Sequence, residues 1–174
     1  MNEKKTEKEM LKVISTTVAL FLAAPAFAES VPITGNVSSK CTVYTDVAGV
    51  YGNPTPDELS TDSVDGGVFP IIRYDVTVGD YYTAKVSWPT SFASSPSLTD
   101  ALNWDGEVTV SQTSSAAQAG YETDKVEYDN VTEYDLTQSG SVWFSVDSSV
   151  TYGYGKSFPG GDYVANVTAE CIAN

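Results

Sequence analysis

The chain contains no histidine, only two cysteines in 174 residues, and just nine basic side chains against 23 acidic ones. Without an imidazole, the Ser-His-Asp and Cys-His nucleophile arrangements cannot be built, and neither can a Cys/His zinc site. No G-x-S-x-G turn and no phosphate-binding glycine loop occurs. Long hydrophobic runs are also missing. The stretch from Val13 to Ala24 is well short of the about 20 residues a membrane-spanning helix needs, and nothing later approaches that length. Carboxylate chemistry of the paired-acid glycosidase kind is what remains for catalysis. The acids, however, are spread over strand edges and turns in the manner of a solvated face, so the expectation is a protein that is not an enzyme.

The beginning of the chain reads as an export signal. Lys4, Lys5, Lys8 and Lys12 precede the apolar run, and Pro25, Ala26, Phe27 and Ala28 follow it with the small residues of an A-x-A cleavage site. Residues 1–28 are therefore expected to be removed, leaving residues 29–174 as one exported domain. The expected destination is the periplasm and then the cell surface or exterior, with no integral membrane segment after cleavage. Ala28 and Glu29 lack the cysteine a lipid anchor would need. Cleavage takes away four of the nine basic residues and three of the 23 acidic ones, so the net charge of −14 becomes about −15. Such a surface repels nucleic acid, and nucleic acid is not an expected partner.

What is present is β-pattern. Tyr82, Ala84, Val86 and Trp88 alternate with polar neighbours. The same period of two recurs at Val108/Val110, at Val142/Phe144/Val146 and at Tyr163/Ala165/Val167/Ala169/Cys171. Gly66-Gly67, Gly79-Asp80, Asp105-Gly106, Ser139-Gly140 and Pro159-Gly160-Gly161 break the runs, and no segment after the signal carries a helical stripe. The pattern predicts an all-β, immunoglobulin-like sandwich of seven or eight strands. Trp88 shares a face with Val86 and is expected in the core, whereas Trp143 is expected to point away from it.

Cys41 lies near the start of the exported domain and Cys171 near its end. In an oxidising compartment the two are expected to bond, closing nearly the whole domain into one loop and placing the first and last strands side by side. Chain-entropy arithmetic gives such a loop roughly 5 kcal/mol as an upper figure.

The carboxylates suggest calcium as the one plausible ion, since hard cations take oxygen ligands. Asp62 and Asp65 form one acidic stretch; Glu122 and Asp124, continuing to Glu127 and Asp129, form another. Neither has the fixed spacing of a defined calcium loop. Tyr121, Val126, Tyr128, Val131 and Tyr134 alternate through the second stretch as an edge strand guarded by charge would. Exposed aromatics, Trp143 first, suggest sugar stacking. A self-contained module binding carbohydrate or calcium is the alternative function.

Two terminal motifs carry a resemblance. The run Ile33-Thr34-Gly35-Asn36-Val37-Ser38-Ser39-Lys40-Cys41-Thr42-Val43, and the alternation Gly161-Asp162-Tyr163-Val164-Ala165-Asn166-Val167-Thr168, resemble the two ends of fimbrial subunits assembled by the chaperone–usher pathway. The resemblance implies an incomplete sandwich, completed by a strand donated first by a periplasmic chaperone and then by the next fimbrial subunit. The groove would lie between the Cys41 strand and the strand bearing Tyr163, Ala165, Val167 and Ala169. The donor face would be Val31, Ile33, Gly35 and Val37. Two features depart from the family: the cysteines join the two groove-flanking strands, and residues 30–39 are asked to act both as donor and as the start of the first strand. The reading is an exported structural subunit of a bacterial surface fimbria or pilus.

Overall fold

The computed structural model describes residues 40–153 and 156–174, together with Thr34. Eleven strands occur among the described residues. They are Cys41–Val47 (β1), Glu58–Ser60 (β2), Ile71–Val76 (β3), Tyr82–Ser87 (β4), Phe92–Ser94 (β5) and Leu102–Thr113 (β6), then Val126–Tyr128 (β7), Val131–Asp135 (β8), Gly140–Tyr152 (β9), Val164–Ala165 (β10) and Thr168–Ala173 (β11). A single helical turn, Tyr121–Asp124 (α1), precedes β7. The all-β sandwich expected from the sequence is present. The strand count exceeds seven or eight because several strands are short pieces of interrupted ones.

Every pairing between these strands is antiparallel. In one sheet β1 pairs with β3 and β3 with β9; β6 runs along the other side of β9, and β2 takes up the rest of the side that β3 occupies. The second sheet has the order β11-β4-β8-β7, and the short β10-β5 pair continues its β11-β4 edge. The period-two pattern decides which side chains meet between the sheets. Ile72, Tyr74 and Val76 of β3, Val108 of β6 and Val142, Phe144 and Val146 of β9 face Ala84 and Val86 of β4 and Tyr134 of β8.

Two tyrosines tie the sheets together in opposite directions. Tyr74, from the first sheet, donates its hydroxyl to the carbonyls of Lys85 and Glu170 at 3.2 and 3.1 Å. Tyr134, from the second, donates to the Val108 carbonyl at 2.9 Å. Phe144 sits between their rings, at 5.4 Å from Tyr74 and 4.3 Å from Tyr134. Burial pushes both phenols well above the ordinary tyrosine value, since a phenolate would lose its hydration there. Stability is therefore expected to be at its full value below about pH 10 and to fall as the pH rises beyond it, because the unfolded chain then releases protons that the folded chain retains. Tyr134→Phe is expected to lose about 1 kcal/mol in urea unfolding and to flatten that alkaline decline.

The run from Tyr163 to Cys171 is not one strand. It divides at Asn166 and Val167, because the strand it pairs with is itself interrupted between Ser87 and Phe92, where Pro89 supplies no N–H for a ladder. Residues 121–134 likewise do not form a single edge strand. Tyr121 is buried in the core from the helical turn α1, and β7 and β8 then form a hairpin. Its two-residue loop is Asp129-Asn130, with Asp129 at φ 52°, the left-handed conformation such a turn needs.

Candidate functional site

Among the described strands, β1 pairs only with β3 and β11 only with β4, so each forms the edge of its own sheet on the same flank of the sandwich. The Cys41–Cys171 disulfide joins them there, with Cα atoms 6.3 Å apart, as the sequence leads one to expect. Cys41 pairs with Val76 and Cys171 with Ala84, so the bridge spans the two sheets at the end of the core that Tyr74 also pins.

Beyond the bridge the edges separate and leave an open groove of about 890 Å³. One wall is β1 and its continuation, from Val43 to Tyr51; the other is Tyr163, Ala165, Val167 and Ala169, each half-buried while their neighbours in sequence are exposed. Leu59 and Ile72, both nearly inaccessible, line its depth with Thr61 and Ser148. The Tyr51 hydroxyl lies 3.0 Å from that of Ser148, and burial raises the Tyr51 phenol above its ordinary value. On a chain with 23 acidic residues, Asp162 is the one charged residue among the described groove-lining residues. A flank so free of charge, between two sheet edges, has the chemistry of a seat for an apolar strand.

The donor face proposed from the sequence, Val31, Ile33, Gly35 and Val37, lies outside the described residues. The first strand begins at Cys41, so the role of first strand is filled without drawing on residues 31–37. The Leu59 and Ile72 floor escaped sequence reading, because apolar positions in short runs between turns do not identify a partner.

The acidic positions do not come together. Asp62 caps a short 3₁₀ turn, accepting from the Val64 N–H at 2.9 Å, and Asp65 ends that turn. Glu122 and Asp124 lie on α1. Glu122 accepts from the Val110 N–H at 2.6 Å and is paired with Lys125 at 2.8 Å. Lys125 also meets Glu127 at 2.9 Å and Glu107 at 3.3 Å, and donates to the Val108 carbonyl at 3.1 Å. Burial opposes its charge, but Glu122 and Glu127 outweigh burial and keep the ammonium protonated far above its usual range. Among the described residues no group of three or more His, Cys, Asp or Glu side chains is placed to hold a metal ion. Lys125→Met leaves three carboxylates facing one another and is expected to cost about 1–2 kcal/mol in denaturant unfolding, with part of the loss recovered at high salt.

The tryptophans differ from expectation in one respect. Trp143 does lie on the outer face of β9, and its indole N–H donates to Asp46. Trp88 is half-buried rather than fully enclosed. It lies over Gly106, where a Cβ would sit 2.8 Å from its Cγ, and contributes to an open cleft of about 340 Å³ with Asp105, Glu107, Glu127, Asp129 and Asp147.

Comparison with protein-family models, with curated proteins and with solved structures found no match for this chain. Fold and site define a disulfide-closed, all-β sandwich with an apolar groove along one flank.

Proposed function

We propose that the chain is an exported structural subunit of a bacterial surface fimbria or pilus, joined to its neighbours by strand addition. The observation that carries this reading is the groove, with Asp162 its one charged residue among the described lining, between β1 and the chain leading into β11, edge strands of opposite sheets. In this reading β1, β3, β6 and β9 take the places of the first, second, fourth and fifth strands of an immunoglobulin-like sandwich and β4 and β11 those of the third and sixth, with the β7–β8 hairpin inserted between β6 and β9 and the last strand missing. The position that strand would hold, beside β11, is where the groove lies. An added strand would form backbone hydrogen bonds with one or both edges and place alternate side chains over Leu59 and Ile72.

The occupant is the segment containing Val31, Ile33, Gly35 and Val37, supplied by a second copy or a related subunit. Lys40 extends the β1-β3 pairing past the bridge, with its carbonyl accepting from the Thr77 N–H at 3.0 Å. The chain thus enters β1 from the bridged end. For a subunit to fill its own groove, residues 31–37 would have to turn back past the disulfide. A periplasmic chaperone would cover the groove before assembly.

The chain produced in an oxidising compartment without a chaperone is expected to form aggregates or an oligomer ladder that a peptide of residues 29–40 dissolves into monomer. A stable monomer that ignores the peptide would overturn the reading. It would favour the second one, a self-contained carbohydrate-binding module, for which the Trp88 cleft with its indole, carboxylates and the Thr132 and Ser149 hydroxyls is the supporting observation. Glycan binding lost in Trp88→Ala would then be its test.

A further inference from the structure

We propose that the Cys41–Cys171 bridge is an end stop, fixing how far an added strand can run through the groove and allowing overhang at one end only. This rests on the strand-addition reading and deepens it. A strand seated between two sheet edges and bonded to both needs about 4.8 Å to each neighbour, so the edges must stand roughly 9.6 Å apart. At the bridge the two Cα atoms are 6.3 Å apart, and a covalent link crosses the gap. No backbone passes there. Two residues further on, Val43 and Ala169 both already line the groove. β1 and β11 remain close beside the bridge, so the edges widen away from it and the last seat lies beyond the disulfide.

The opposite end is different in kind. Tyr163 packs there against Phe92 and Phe158, each ring centroid 5.1 Å away, and the lining continues past it to Asp162 and Gly161, with no covalent crossing between the walls among the described residues. An incoming chain can continue past aromatic side chains by displacing them, whereas it cannot continue through a disulfide. Between the two ends, residues 163–169 provide seven positions of wall, four of them facing inward. The seven residues 31–37 carry three donor side chains, Val31, Ile33 and Val37, with Gly35 at the remaining position of the same spacing. Seated against the stop, the donor has one register in which all four positions face the floor, and a slip of one residue would turn every one of them outward. The departure from the family's cysteine pattern thus becomes a ruler for the strand that enters.

The test uses fluorescent peptides of residues 31–37, extended by a short run of serines at the N-terminus or at the C-terminus, titrated into the oxidised chain. One extension is expected to leave affinity within about threefold, and the other to weaken it by about tenfold or more. In Cys41→Ser/Cys171→Ser the difference between the two should shrink to within about threefold. Equal tolerance of both extensions by the oxidised protein overturns the stop, as does an asymmetry that survives loss of the bridge. If none of the peptides binds, it is the strand-addition reading that fails. Should the double variant not fold, asymmetry in the oxidised protein decides alone, because a bridge that merely stabilises the fold treats both ends of the peptide alike.

Discussion

Replacing both cysteines with serine is expected to lower the free energy of unfolding by about 2–5 kcal/mol and the midpoint temperature by on the order of 10 °C. The partners are 130 positions apart, so the bridge removes a large share of the unfolded chain's freedom. On this flank β1 and β11 share no backbone ladder, and the bridge joins them beside the Tyr74 hydroxyl, which bonds across to the other sheet. Urea unfolding of the oxidised chain and of the double variant would measure the difference. A loss below about 1 kcal/mol would mean that the unfolded chain is already compact enough to make the constraint redundant.

Val167→Glu is expected to weaken binding of a peptide of residues 29–40 by about a hundredfold, through a carboxylate placed in an apolar groove with no basic residue among its described lining. Val167 lies between β10 and β11, half-buried and packed against the edge of the core. Its charge can therefore reach solvent while the groove is empty, and the cost to folding should stay near 1 kcal/mol. Gln112→Glu, exposed on β6 and outside the groove lining, supplies the control for added charge and should leave the peptide's affinity within about threefold. Unchanged binding in Val167→Glu would remove the groove from consideration as the peptide's seat.

Much of this was legible before any coordinates. Two cysteines in an exported chain have one way to pair, and the bridge places the first and last strands together whatever lies between. Val142, Phe144 and Val146 announce a two-faced strand because a sheet buries one face only, and these residues are among the most buried in the molecule. What stayed hidden depends on contacts distant in sequence. The break at Asn166-Val167 is dictated by Pro89, some 77 residues earlier in the chain and opposite it only once the sheet has formed. Tyr121 stands an odd number of positions from Tyr128 and Tyr134 and so falls out of their period of two; it enters the core from a helical turn. Trp88 occupies the inward face as its pattern implies. It lies against Gly106 of β6, a contact no local pattern encodes. The acids at 62 and 65 and those at 122 and 124 read as two separate stretches, and each pair lies on its own turn or helix.

The position of the bridge also decides how the molecule would bear a pull. Tension applied through the segment ahead of Lys40 enters the domain one residue before Cys41 and can cross directly to Cys171 through covalent bonds. The loop that the bridge closes holds both sheets, so such a load reaches the groove-bordering strands without first prising the sandwich open. If the proposed strand addition holds, an oxidised subunit stretched between neighbours would lengthen little before its non-covalent seats let go, and a reduced one would unravel from β1 inward.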